Sequence, residues 1–258
     1  MTDRVETTFV SLRRRYRQAR IARAMRRAST EAHQRGERVV HMLHVRKTGG
    51  TAIQTALKAA GPVPGLLLLL HAHGISLADV PDEDEVFFFL RDPVARFVSG
   101  FEMRRQEGGP RYKRPWTTAE RMAFERFDSA RALATALGSD DARQRSAARR
   151  AMTSVADLEP VATWLGTEAL VRARRDRIVL VGWQERLDAD FAALVELLGL
   201  PATAALPTGA YEANRNESDS RRRELAAEAA DDVRGWYADD YGLIEVLEEL
   251  GLTVPPFG

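Results

Sequence analysis

Three short stretches hold residue types that could do chemistry: Lys47-Thr48-Gly49-Gly50-Thr51, His71-Ala72-His73, and the segment from Arg91 to Ser99. In the first, adjacent glycines let successive backbone N–H groups turn toward one anion, and Thr48 and Thr51 add hydroxyl donors. A triphosphate loop runs G-x-x-x-x-G-K-[ST], with its hydroxyl on Mg²⁺. Here the lysine comes before the glycines. Asp92, the acid that follows a strand, precedes Pro93 and is better placed as a helix cap than as a metal ligand. The stretch therefore reads as a phosphate loop that works without a metal. The second stretch offers two imidazoles, suited either to general-base work near neutral pH or to metal ligation. The third offers Arg91 at a strand end, with Arg96 and Ser99 three residues apart on one helix face, as a second anion site. Taken alone, the plainer reading is that Arg91 pairs with an acid and Ser99 faces small neighbours.

The elements around these stretches would bring them together. Val39–Val45, Leu66–Leu70, Val86–Leu90 and Arg177–Val181 are apolar runs of strand length. Helices are predicted over Thr51–Ala60, closed by Gly61-Pro62, and from the Asp92 cap through about Gln106. A short helix is expected at Ser76–Val80, another at Asp188–Leu200, and a closing helix runs through about Leu250. Strands that alternate with helices and are apolar throughout imply a parallel sheet covered on both faces. The fold class is thus α/β, a three-layer sandwich with a central parallel sheet flanked by helices. In such a sheet the loops leaving the carboxyl ends of the strands gather along one edge. All three stretches are loops of that kind. His41 and His44 fall inside the first predicted strand and read as structural, with His44 placed to support the loop.

Residues 1–38 form a basic N-terminal helical extension, with 11 arginines against four acidic residues. It could meet nucleic acid, a membrane surface or an acidic partner, but a solvated helix packing a thin apolar stripe (Phe9, Leu12, Tyr16, Ile21, Met25) is the preferred reading. Residues 39–258 read as a single domain, in which 107–177 is a mostly helical insertion. No apolar run is long enough for a membrane span and no secretion signal is evident, so a cytoplasmic location is expected. The absence of cysteine excludes disulfides, thiolate metal sites and a cysteine nucleophile. Only three of the 38 cationic residues are lysines, Lys47, Lys58 and Lys113. One of them sits in the glycine loop, where a compact ammonium can approach a single oxygen closely.

His44-Val45-Arg46-Lys47-Thr48-Gly49-Gly50-Thr51 resembles the 5′-phosphosulfate loop of the carbohydrate sulfotransferases, commonly HIPKTGGT. Arg91-Asp92-Pro93-Val94-Ala95-Arg96-Phe97-Val98-Ser99-Gly100-Phe101 resembles their 3′-phosphate motif, in the same order and at a similar interval. The resemblance covers residues 38–106 well and the remainder in outline only. Arg46 departs from the proline usual at its place.

The resemblance implies a P-loop-like sulfotransferase fold and the donor 3′-phosphoadenosine 5′-phosphosulfate, with no metal. Lys47, Thr48, Gly49, Gly50 and Thr51 would hold the 5′-phosphosulfate, with Lys47 beside the leaving oxygen. Arg91 and Ser99 would hold the 3′-phosphate. In the hexuronyl 2-O-sulfotransferase branch a His-x-His pair stands at this place, which makes His73 the base and gives His71 the task of orienting it or the acceptor. Asn214–Ser218 with Arg221 and Arg223 would cover the adenine. Arg104, Arg105, Arg111, Lys113 and Arg114 could meet an anionic sugar, and Trp116 or Trp164 could stack on one, although a solvated face and core packing are the plainer readings. The expected partner is a small-molecule or glycan acceptor, with no nucleic acid. The competing readings are a Mg²⁺-dependent nucleotide kinase and a non-catalytic nucleotide- or nucleic-acid-binding protein.

Overall fold

The computed structural model describes residues 20–109, 113–207, 225 and 227–257. Strands β1 (Arg38–Leu43), β2 (Leu66–Leu70), β3 (Glu85–Leu90) and β4 (Ile178–Trp183) form one parallel sheet in the order β2-β1-β3-β4. The helices are α1 (20–34), α2 (Gly50–Ala60), α3 (Pro93–Arg105), α4 (Thr118–Arg126), α5 (Ala130–Leu137), α6 (Ala142–Ser154), α7 (Ala162–Leu165), α8 (Glu168–Ala173), α9 (Leu187–Leu197), α10 (Ala227–Trp236) and α11 (Ala238–Glu249). Among the described residues no helix is long and apolar enough to cross a membrane.

The unbroken apolar run of β3 is divided by strand periodicity between two cores. Val86, Phe88 and Leu90 face Trp164 and Leu165 of α7, Val171 of α8, and Leu243 and Leu247 of α11. Phe87 and Phe89 face the other way, onto Ile53 and Leu57 of α2 and Phe191 and Leu194 of α9. Burying each phenylalanine contributes about 1.5–3 kcal/mol. That is why a strand covered on both faces cannot alternate polar with apolar residues. Met25 of α1 joins the first of these cores. A third cluster lies among helices alone. Phe97 and Phe101 of α3 pack there with Phe124 of α4, Leu133 of α5, Ala148 and Met152 of α6, and Val233 of α10.

The expected elements form, with shifts at their ends. β2 and the Asp92-capped start of α3 match the sequence reading, and the Asp92 carboxylate accepts from Ala95 N at 2.8 Å. The expected short helix at Ser76–Val80 is a single 3₁₀ turn, Leu77–Asp79, held by reciprocal Ser76 and Asp79 hydrogen bonds. β1 stops at Leu43 and not at Val45. His44 therefore leaves the strand and belongs to the loop.

Candidate active site

Beyond β1 the chain turns so tightly that Lys47 takes φ +67° and Gly49 φ +81°. A left-handed lysine costs about 1–2 kcal/mol, a strain that β1 and α2 on either side must hold. Thr48 lies inside the turn, 1% exposed, and its hydroxyl donates to Val45 O at 3.0 Å. That proton shapes the loop and is not offered to a ligand. The donors left to an anion are the backbone amides and Thr51. Gly49 caps α2 without a side-chain hydrogen bond, and no acid lies in the first turn. The partial positive charge at the start of α2 is therefore not offset from within its own first turn. A Cβ on Gly50 would collide with the His44 ring, so only glycine lets that imidazole lie against the loop.

His44 also holds His73. The two rings sit with centroids 3.9 Å apart and planes tilted by 46°. His73 Nδ1 donates to His44 O at 2.9 Å. A carbonyl oxygen can only accept, so the His73 hydrogen is on Nδ1 and the lone pair on Nε2. Trp164 Nε1 donates to His73 O at 3.0 Å and fixes the backbone. Burial, and then the charge of Arg46, push the His73 pKa below the usual histidine value, which keeps the ring neutral at neutral pH.

His71 turns to other partners. Its Nε2 is 2.8 Å from His41 Nδ1, and its carbonyl accepts from Gln54 Nε2 of α2 at 2.5 Å. His41 Nε2 meets Asp84 Oδ2 at 2.9 Å, and His33 Nε2 meets Asp84 Oδ1 at 2.6 Å. The orienting contacts on His73 come from His44 and Trp164, while the His71 ring is engaged with His41. His33, Glu83 and Asp84 bring one potential ligand atom each within 4.8 Å of one another. Both Asp84 oxygens are already engaged by histidine rings, and no metal site is assigned there.

The third stretch meets the segment that follows β4. Asp92 N donates to Glu185 Oε1 at 3.0 Å, and Tyr241 Oη donates to Asp92 Oδ1 at 2.9 Å. Burial raises the Glu185 pKa, while the positive charge of Arg91 opposes the rise. Leu187, in the same segment, packs on Gly49, where an added Cβ would stand 3.1 Å from its side chain. The loops after β1, β3 and β4 thus close on one another. Ser99 is half-buried on α3.

Arg96 requires a correction. It is fully buried, pairs with Asp240 at 2.9 Å, donates to Glu159 O at 2.7 Å and lies 5.1 Å from the Tyr237 ring centroid. It anchors α3 to α11 and takes no part in an anion site. Next to Ser99, Gly100 lets α3 approach Asp157, whose carbonyl an added Cβ would strike. Asp157 in turn pairs with Arg46 at 2.5 Å. The residue that departs from proline in the loop is thereby tied to the helical layer.

The expected acceptor cations separate. Arg104 is fully buried, with its guanidinium forked onto Glu120 at 2.8 Å, and Arg114 approaches the same carboxylate at 3.5 Å. Burial would raise the Glu120 pKa, but the hydrogen bonds and charge of Arg104, with the amides of Thr117 and Ala156, hold it at about 2. Arg105 and Lys113 are exposed. Trp164 is a core residue and is not placed for stacking, while the half-buried Trp116 donates to Arg104 O at 2.8 Å and packs on Phe124. Arg111 and the 214–223 segment lie outside the described residues.

Sequence reasoning passed over Glu185 and Asp157, and it did not foresee that Trp164 holds the His73 backbone or that Arg46 pairs with Asp157. Only Glu185 had a usable signal, since it directly follows a strand and must lie at the same sheet edge. Residues 77–243 match the sulfotransferase family model. The match takes in Arg91, Ser99, Glu185 and the helical layer, and begins after the glycine loop and both histidines. No curated protein matches the chain.

Proposed function

The chain belongs to the sulfotransferase family, and on that premise we propose that it moves a sulfuryl group from 3′-phosphoadenosine 5′-phosphosulfate to an acceptor hydroxyl, one carried by a carbohydrate or glycoconjugate. The observation that supports the reading is the contact through His44, whose ring lies against Gly50 and against a neutral His73 with its lone pair on Nε2.

In this mechanism the acceptor oxygen attacks sulfur in line as the bond from sulfur to the bridging phosphate oxygen breaks, by analogy with phosphoryl transfer. The hydroxyl proton passes to His73 Nε2. Lys47 offsets the charge that grows on the bridging oxygen. The amides of Gly49, Gly50 and Thr51 and the start of α2 hold the 5′-phosphate, and Thr48 keeps the loop in shape. Arg91 and Ser99 hold the 3′-phosphate, and Glu185 keeps the Arg91 segment in place. The products are a sulfate ester and adenosine 3′,5′-bisphosphate. The hexuronyl 2-O branch is favoured by the His-x-His spacing.

The test is calorimetric binding of adenosine 3′,5′-bisphosphate without metal, to wild type and Arg91→Ala, with Mg²⁺-ATP for comparison. Micromolar binding that weakens in the variant is expected. No binding, together with tight Mg²⁺-ATP binding, would replace this reading with a nucleotide kinase. His73→Ala should fold normally and lose transfer by ~10²–10⁴-fold, the range for a positioned general base.

A further inference from the structure

We propose that Asp84 and His41 are positioning residues for His71, and that they fix its Nδ1 as a lone-pair acceptor for a hydroxyl of the acceptor substrate. This rests on the sulfotransfer reading above.

The three side chains form a diagonal across three strands. His41 of β1 pairs with Leu69 of β2 on one side and with Val86 of β3 on the other. Side chains of one parity share a face. His71, two residues beyond Leu69, and Asp84, two before Val86, must therefore flank His41 on the same face. The His71 amide continues the ladder by donating to Met42 O at 3.3 Å. Asp84 and His41 are fully buried and His71 is 8% exposed.

The direction of the hydrogen bonds follows from chemistry. A carboxylate only accepts, so His33 and His41 each present an Nε2–H to Asp84. Burial lowers the His41 pKa against the opposing pull of Asp84. The His41 ring has no exposure, so a positive charge there would be costly. A neutral His41 with hydrogen on Nε2 can only accept at Nδ1. His71 must then donate from Nε2, which leaves the lone pair on its Nδ1. The logic is that of a carboxylate fixing a histidine tautomer, carried through one further ring.

The end of this line is placed for use. His71 stands two residues from His73, and Gln54 of α2 holds its carbonyl. Burial above all lowers the ring to about 4 and keeps it neutral at neutral pH. An acceptor that is neutral at neutral pH recognises a hydroxyl, whereas a protonated imidazole would recognise an anion. The inferred ligand is therefore a hydroxyl neighbouring the one sulfated, or a water in its place. Glu83 and Arg174 are the other charged groups near Asp84 and His41, and Asp79 is near His71.

The first experiment needs no variant: the tautomer of His71 in the full chain, read by ¹⁵N NMR of histidine-labelled protein at neutral pH. Hydrogen on Nε2 is expected, and hydrogen on Nδ1 overturns the proposal. The second measures slow hydrolysis of 3′-phosphoadenosine 5′-phosphosulfate in water as release of the bisphosphate. His41→Phe should lower its kcat by about 10- to 100-fold, the range seen when an outer partner of a functional histidine is lost. The KM for the donor and the affinity for adenosine 3′,5′-bisphosphate should not change. His41→Gln, whose amide can both donate to Asp84 and accept from His71, should restore part of the rate. An unaltered kcat in His41→Phe, or a loss the glutamine does not relieve, counts against the proposal. Absence of bisphosphate binding in wild type would instead defeat the sulfotransfer reading, and the tautomer would still decide the relay.

Discussion

Acidification from about pH 7 to about pH 5 should weaken the fold, and His71 should account for roughly 2 kcal/mol of the loss. The folded protein holds His71 at about 4, while in the unfolded chain it titrates near 6.5. Between those values the unfolded chain binds the extra proton. Stability is therefore fully present above about pH 6.5 and drains away as pH falls toward about 4. Over that window each pH unit is worth ~1.4 kcal/mol, and about one and a half pH units of it have been crossed by pH 5. His41 and His73, also lowered mainly by burial, act with the same sign. Asp240 and Glu185, raised mainly by burial, act against it. The His71 share is isolated by comparing wild type with His71→Gln, which can still donate to His41. Urea unfolding followed by the fluorescence of buried Trp164 and Trp183 gives the free energy at each pH. The variant should lose about 2 kcal/mol less than wild type across the interval. Equal losses in the two proteins would refute the assignment of a buried, neutral His71.

Two other substitutions separate framework from site. Arg96→Met should destabilise by about 3–5 kcal/mol because it strands the Asp240 carboxylate in the core, while adenosine 3′,5′-bisphosphate affinity of the folded fraction stays unchanged; Arg91→Ala should do the reverse, as denaturant unfolding and calorimetry would show. Lys47→Gly should melt no lower than Lys47→Ala, since glycine relieves about 1–2 kcal/mol of left-handed strain, yet both should abolish transfer; a lower melting temperature for the glycine variant would mean that the turn is not strained.

What could be read from the sequence was local. Leu66–Leu70 is a strand because five leucines between breakers leave few alternatives, and α3 begins where Asp92-Pro93 supply a cap and a fixed φ. The order of the glycine loop, the histidine pair and Arg91 places them at one sheet edge by topology alone. Partnership was not legible. Arg96 looked like a second cation for an anion, but Asp240, in the closing helix, claims it. Arg104 looked exposed and is forked onto Glu120. His41 looked structural, and only the register against Leu69 and Val86 shows that it stands between His71 and Asp84. Local pattern specifies an element, while the residue met across a core depends on how distant elements pack.

The sheet also has a consequence for how the chain comes together during synthesis. Phe88 of β3 pairs with Val181 of β4, and all of α3 to α8 lies between them. As the protein emerges from the ribosome, β1, β2 and β3 can join while the far edge of β3 still has no neighbour. Until β4 arrives, that edge presents open amides and carbonyls, with Phe87 and Phe89 not yet covered by α9. The glycine loop and His73 can thus be in place well before Glu185 closes against Arg91. The nascent chain passes through a stage in which a phenylalanine-rich strand is a sticky border, and the helices made in the interval give the border time to meet a wrong partner.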